Sequence, residues 1–487
     1  MNGALMKASS RFAIAAALGL VVGVGSVRAA DLGGNCCADL EERIAELEAT
    51  TARKGNRKMS LTVTGQVHRS VLWYDDTHLS TTYYGLDNTN ASSRFIFLGS
   101  ARINPNVSMG FEIMIEIEAG GTSSKVNQFD EDGKLTAFIS NPGGAIGIPS
   151  FNPHNNDAYF GDARRVAWWI EHKDLGRITV GRYEVAGVQA TIDLTGHLFL
   201  GASSSFILLN GGFFIRGPEG QFYATNWGNI GDPASASSGR TEQVRYDSPS
   251  WHGFIYSVSV AERGDYWGTM LRYANEFNGV RIAGALGVER VRDVFTPGVI
   301  SPSDVAFTGP RPDITAWGIA LSAMHVPTGL FVQGHYNGVD FGNEAPGLAS
   351  GYWGQSAAGV KKDTAHWLIQ AGISRNWFGY GNTSVYGEYG VATDWGANVG
   401  GRNYTTAGFT AVQGVTDTDL RVWGLGMAQN FDAAATAVYL GYRHMEADIT
   451  CTGAGGPGVC TGAPGATPTK LDTKDIDVIV MGARVLF

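Results

Sequence analysis

The chain has 487 residues, 67 of them Gly, with 17% charged residues and a formal net charge of −9. An acidic chain is poorly suited to nucleic acid, since phosphate binding runs on Lys and Arg. After the first thirty residues no apolar run approaches the roughly 18 residues of a transmembrane helix, so any membrane crossing has to be made with strands.

The N-terminus carries a secretory pattern. Lys7 and Arg11 precede a short apolar core, Phe12 to Val24, and Val27-Arg28-Ala29 offers a cleavage site, which predicts a signal peptide over residues 1–29. Its removal takes away three basic residues and no acid, so the exported chain carries −12. Residues 30–58 contain one convincing helix, near Asp39 to Arg53. Asp39 with Glu42 forms a capping box and Gly55 supplies a stop. Cys37, Leu40, Ile44, Leu47 and Thr51 follow a 3,4,3,4 spacing, a short coiled-coil seam. Two heptads are not stable alone, so the seam implies either a bundle between chains held together elsewhere or a helix laid against the next domain. Cys36 and Cys37 are too close for an easy mutual bridge, which leaves interchain pairing and free thiols both open.

From Met59 onward the period changes to two. In Leu61 to His68 the odd positions are apolar and the even ones polar. Phe95, Phe97, Ala101 and Ile103 alternate with Arg94, Ser100 and Arg102. After the turn Asn104-Pro105-Asn106, Met109, Phe111, Ile113, Ile115 and Ile117 alternate with Ser108, Glu112, Glu116 and Glu118. Each apolar face covers the roughly 9–11 tilted residues that cross a bilayer. Because charge is costly at mid-membrane on the lipid side, the glutamates are expected in the lumen, either as pore charges or paired with Arg94 and Arg102 on the adjacent strand.

Tight turns are predicted at 104–106, 173–176, 250–253, 277–279, 326–329, 376–381 and 431–433. Long Gly- and Asn-rich segments separate the hairpins, near 75–91, 120–163, 184–239, 263–267, 290–312, 338–363, 391–417 and 448–470. Fifteen connections imply sixteen strands, and short turns on one rim with long loops on the other mark a bacterial barrel. The fold class is therefore all-β, a 16-stranded antiparallel transmembrane barrel over residues 59–487. Trp73, Tyr74, Trp168, Trp169, Trp267, Trp367 and Tyr389 suit interfacial girdles. Within the last long loop, Cys451 and Cys460 flank a flexible Gly-rich stretch and are expected to bridge in an oxidising compartment.

The final stretch, Ile476 to Phe487, alternates Ile479, Met481, Ala483, Val485 and Phe487 with Val478, Val480, Gly482, Arg484 and Leu486. An aromatic strand ending flush is a sticky edge unless it closes a barrel. Enzyme and cofactor motifs fail on context. Gly453 to Gly458 fits a dinucleotide fingerprint without a strand–helix unit around it, and the ten His lack metal-ligand spacing. No cofactor, metal or catalytic group is expected.

Several stretches together resemble the trimeric general bacterial porins, those of the alphaproteobacterial type in particular. Val244-Arg245-Tyr246-Asp247-Ser248-Pro249 through Gly253-Phe254 is similar to their strand–turn–strand motif. Asp174 to Arg182 looks like the hairpin before the porin constriction loop, and Asn430 to Arg443 like the penultimate hairpin. Gly482, Val485 and Phe487 resemble the closing strand read as a signal by the barrel assembly machinery. The resemblance implies a cell outer membrane location in contact with lipid, a homotrimer, and a water-filled channel for passive diffusion of small hydrophilic solutes and ions. A substrate-specific channel with saturable binding is the alternative. It also implies an inward-folded constriction loop over 184–239, with Arg94, Arg102 and Arg182 on the wall facing Glu184 and Asp193 on the loop. Alternation places Arg182 with Ile178 and Val180, so it fits only if a bulge near Gly181 shifts the phase and turns it to the lumen, or if this strand lies in a subunit interface. The three glutamates lead to an expected weak cation preference.

Overall fold

The structure, a computed structural model, describes residues 59–118, 121–129, 159–189, 191–202, 207–231, 239–261, 264–292, 313–341, 363–395, 409–452, 460–461 and 467–487. The expected signal peptide and coil segment lie outside the described residues.

Sixteen antiparallel strands close on themselves. They are β1 (Ser60–Asp75), β2 in two pieces (Ser80–Asp87 and Arg94–Asn104), β3 (Val107–Glu118), β4 (Tyr159–His172), β5 (Gly176–Glu184), β6 (Arg240–Asp247), β7 (Phe254–Ala261) and β8 (Tyr266–Phe277). The circuit continues through β9 (Val280–Arg292), β10 (Asp313–His325), β11 (Leu330–Phe341), β12 (Asp363–Arg375), β13 (Thr383–Thr393), β14 (Val415–Phe431), β15 (Thr436–Thr452) and β16 (Ile476–Leu486). The seven tight turns fall where the sequence places them. Strand β2 is interrupted by one 3-10 turn, Thr89–Ala91, which Asn88 caps through its side chain.

Closure is made by β16 against β1, in register from Gln66↔Leu486 to Asp75↔Asp477. Phe487 extends the seam: its N–H donates to Gly65 O (3.1 Å), and its carbonyl accepts from Gly65 N (2.9 Å) and Thr64 Oγ1 (2.6 Å). Its ring meets Phe95 edge-on at 5.6 Å. The last residue thus pairs the edge that a shorter chain would leave open.

Side chains sort by the period-two rule. Trp317, Ile319 and Leu321 of β10, and Trp423, Leu425 and Met427 of β14, stand exposed on the outer surface. Gln333, His335, Asn337, Gln370 and Glu388 are buried on the inner one.

On the loop side of β14–β16 this polarity reverses without any change of phase. Outward positions there carry Arg421, Glu446, Asp448 and Asp477, with Arg421 bridging to Glu446 at 3.2 Å and Lys470 to Asp448 at 2.6 Å. Inward positions carry Leu420, Val422, Met445, Ala447 and Ile449, which pack with Phe213, Ile215, Tyr223 and Trp227 in one apolar cluster. Strands β14 and β15 have 17 residues each, whereas β6 and β7 have 8. Cys451 and Cys460 are joined inside this cluster, Cα to Cα 5.7 Å. Cys460-Thr461 also pairs in parallel with Val412-Gln413, so the loops after β13 and β15 are fastened together.

Candidate functional site

The inner wall from β2 to β8 carries a ladder of charge. Arg165 donates to Glu112 at 2.7 Å and, through Nε, to both oxygens of Glu184 at 2.8 Å. Arg240 reaches the same Glu184 at 2.9 Å. Arg164 pairs with Glu116, which also accepts from Ser92. Farther along, Asp247 takes Arg245 at 2.8 Å, Arg272 at 2.7 Å and Ser257 Oγ at 2.6 Å. The ring of Tyr183 lies 5.0 Å beneath the Arg165 guanidinium.

Two consecutive arginines reach inward because β4 bulges. Met114 pairs Arg165 and Ile115 pairs Ala163, leaving Arg164 as the extra residue. A bulge sets two residues against one and re-aims the side chain. Plain alternation would have sent Arg164 or Arg165 into lipid.

The expected site residues are placed as follows. Glu112, Glu116 and Glu184 belong to the ladder. Arg94 lies opposite Glu116 in register but spends its Nε on Ser92 O at 2.9 Å. Arg102 sits exposed at the turn rim, one residue before Ile103, away from these groups. The side chain of Glu118 lies outside the described residues. Register runs through Gly181 without a shift, Gly181↔Ala167 and Arg182↔Val166 on one side, Gly181↔Gln243 and Arg182↔Glu242 on the other. Arg182 therefore stays in phase with the exposed Val166 and Glu242, and donates to Ala163 O at 3.0 Å. The bulge near Gly181 that would have turned Arg182 to the lumen is not formed, and the register shift lies instead on β4 at Arg164.

Asp193 has a different use. Its carboxylate accepts from the N–H of Thr195 (2.8 Å), Gly196 (3.2 Å), Leu198 (2.8 Å) and Phe199 (3.3 Å), which folds the loop into a turn. Sequence reasoning missed Arg164, Arg165, Arg240, Arg245 and Arg272. A usable signal was there: two adjacent arginines in a membrane strand call for a bulge, since a charge on the lipid face is costly.

The segment after β5 runs along the remaining inner wall. Ala186 N donates to Ser259 Oγ of β7 at 2.8 Å, and Ser322 Oγ of β10 donates to Ile192 O at 2.5 Å. Leu194 N donates to Gln333 Oε1 of β11 at 3.2 Å, and His197 Nε2 lies 2.9 Å from Ser384 Oγ of β13. Asn88 and Asn90 then hold Leu200 O and Phe199 O, each at 2.8 Å. The wall is cut away to admit this path. A Cβ at Gly287 would collide with Gly187 O, and one at Gly441 with Gly201 O. Burial lowers the His197 imidazole pKa, against the raising effect of the Asp193 carboxylate. The fold thus favours the neutral form of His197, a contribution present above the ordinary His range and lost as pH falls below it.

Under this segment, Glu388 of β13 accepts from Arg443 Nε (3.0 Å) and Nη2 (2.8 Å), and from Gln370 Nε2 (3.0 Å). Gln370 Oε1 in turn accepts from Gln333 at 3.1 Å. Among the described residues no group of three or more His, Cys, Asp or Glu is arranged to hold a metal ion, and no helix is long and apolar enough to cross a membrane.

A closed barrel with an apolar outside, a charged inner wall and a loop laid along its interior defines an outer-membrane channel protein. The chain belongs to the Gram-negative porin family, which matches residues 15–450. None of the curated proteins compared with the chain matches it. Among solved structures it is similar to OmpT of Vibrio cholerae (13% identity, 89% of this chain and 99% of that one, TM-score 0.45). It is also similar to the anion-selective porin from Comamonas acidovorans (15%, 88% and 100%, TM-score 0.47) and to Salmonella typhi OmpF in complex with daunomycin (12%, 89% and 99%, TM-score 0.43).

Proposed function

We propose that the chain is a diffusion pore for small hydrophilic solutes and ions, with a weak preference for anions. The observation that supports this is the balance on the inner wall. From β2 to β9, Arg94, Arg164, Arg165, Arg240, Arg245 and Arg272 stand against Glu112, Glu116, Glu184, Asp247 and Glu289. In the described part of the loop the acids are Asp193 and Glu219, and the first is occupied by backbone N–H groups. This runs against the weak cation preference expected from sequence, because Glu112, Glu116 and Glu184 are matched by Arg165, Arg164 and Arg240. A low-dielectric wall focuses the surplus field.

The test is the reversal potential across a potassium chloride gradient in a planar bilayer. Chloride should be favoured, less so at high salt, because the screening length falls from about 10 Å at 0.1 M to about 3 Å at 1 M. Arg94→Gln, which strips no acid of its ion-pair partner, should weaken the preference. Cation selectivity in the wild type would refute the charge assignment. Flux that saturates with solute concentration would instead favour a substrate-specific channel.

We further propose export through a signal peptide, a periplasmic coil over residues 30–58, a homotrimer, and recognition of the Gly482–Val485–Phe487 ending by the barrel assembly machinery. An unheated gel sample should migrate as an oligomer that collapses on boiling, and a chain lacking Phe487 should yield less of it in the outer membrane. Equal yields, or a monomer in mild detergent, would count against these readings.

A further inference from the structure

Beyond its path along the wall, the segment after β5 folds into a small hairpin, Phe214–Arg216 against Phe222–Asn226. Ile215 and Tyr223 of this hairpin share one buried cluster with the inward-facing Leu72, Val422, Met445 and Val478. Those four residues come from β1, β14, β15 and β16, which are neighbours around the closure. The hairpin therefore occupies the loop-side lumen along these strands. We propose that the Asp76–Arg216 ion pair latches this hairpin in the outer mouth and thereby sets the size limit for permeating solutes. This rests on the chain being a diffusion pore.

Asp76 directly follows β1. Its Oδ1 accepts from the N–H of Leu79 (2.8 Å) and His78 (3.2 Å), which shapes the first outer turn. Its Oδ2 accepts from Arg216 Nε at 2.8 Å and from Gln128 Nε2 at 3.2 Å. Gln128, on the loop after β3, also accepts from Phe214 N (2.9 Å) and donates to Phe214 O (2.8 Å). On the hairpin itself, Arg216 Nη1 donates to Gly220 O at 2.7 Å. The guanidinium lies over the Phe222 ring, 3.7 Å from its centroid. The loops after β13 and β15 are tied in as well. Thr410 N donates to Phe222 O and Lys474 N to Arg216 O, each at 2.8 Å, and Tyr223 OH donates to Asp472 O at 2.9 Å. One hairpin thus joins four other loops.

Among these ties only Asp76–Arg216 carries charge, and it is nearly dry. The Arg216 side chain is 11% exposed and the Asp76 side chain 3%. Water replaces much of a neutral hydrogen bond that opens at a pore mouth, but a buried carboxylate stripped of its cation is not so easily satisfied. The planar guanidinium also reaches Asp76 and Gly220 at once, which fixes an orientation that a single ammonium would not. Without the pair, the hairpin keeps its packed base and loses the tie at its tip. Asp76 and Arg216 are positioning residues: they act through the hairpin on the width of the path.

The experiment is liposome swelling with the purified mature chain, using glucose and the larger sugar raffinose. Both are neutral, so charge preference plays no part. In the wild type raffinose should enter far more slowly than glucose. Asp76→Asn sets an amide against Arg216 and should raise raffinose entry several-fold, with glucose entry nearly unchanged. Adding Arg216→Gln removes the buried cation and lets two amides pair, which should bring the ratio back toward the wild type. A loss of stability alone would not move the two sugars apart. An unchanged raffinose-to-glucose ratio in Asp76→Asn, in protein that circular dichroism shows to be folded, overturns the latch. A wild type that admits neither sugar overturns the diffusion-pore reading instead. Should Asp76→Asn fail to fold, Gln128→Ala cuts the second loop's ties to Phe214 and Asp76, and no rise in the ratio there overturns the latch equally.

Discussion

Replacing Arg443 by Met is expected to destabilise the barrel by about 3–5 kcal/mol, because it leaves a buried carboxylate without its counter-charge. The Glu388 side chain is 2% exposed and the Arg443 side chain 4%. Three of the hydrogen bonds that Glu388 accepts come from Arg443 and Gln370, and only Arg443 brings a charge. Adding Glu388→Gln to the same chain should recover a large part of the loss, since removing both charges spares the uncompensated ion. Thermal unfolding followed by circular dichroism reads both effects. An Arg443→Met barrel that melts with the wild type would show that water reaches Glu388 and that the pair is not structural.

The second large effect is expected on conductance. Gly287 of β9 faces inward, where an added side chain would strike Gly187 O and the backbone of Val188. Gly287→Val therefore forces either wall or loop to move, and overpacking of that kind costs about 1–3 kcal/mol. The wall is held on both sides by continuous ladders, Leu271↔Leu286 onward to β8 and Gly287↔Gly318 to β10. The loop segment is held by single hydrogen bonds and should yield first. Single-channel recordings should show an altered conductance with little change in unfolding temperature. Gly284→Ala, on the outer face of the same strand, is the control and should leave conductance unchanged. Identical conductance for wild type and Gly287→Val would mean that the segment does not border the open path.

Much of this architecture was legible in the sequence because barrels are built from local signals. The turn at Asn104–Asn106, the alternation of β3 and the alternation of β16 each depend on a few neighbouring residues, and each identifies an element of the fold. The wall chemistry was less legible, and for one physical reason. Alternation assigns consecutive residues to opposite faces, so Arg164 and Arg165 could not both be counted as lumenal without knowing of the bulge that separates their partners. Asp193 failed in another way. A loop acid reads as a pore charge until the four backbone N–H groups around it are known, and those depend on how the segment turns. The apolar cluster on the loop side was hidden for a third reason: it joins Tyr74, Tyr223, Met445 and Cys460, residues brought together only by closure.

The reversed polarity along β14–β16 means that these strands serve two solvents in succession. Up to the level of Trp423 and Tyr442 they stand in lipid, with polar groups turned to the lumen. Beyond it they obey the rule of a water-soluble protein, with charge outside and a dry interior, and Cys451–Cys460 is part of that interior. A 17-residue strand exceeds by roughly half the 9–11 residues that a bilayer needs. The excess forms a wall with a packed backing on one side of the mouth, opposite the low sill of β6 and β7. On β14–β16 the membrane therefore determines where inside and outside exchange character, while the folded loops determine where the strands end.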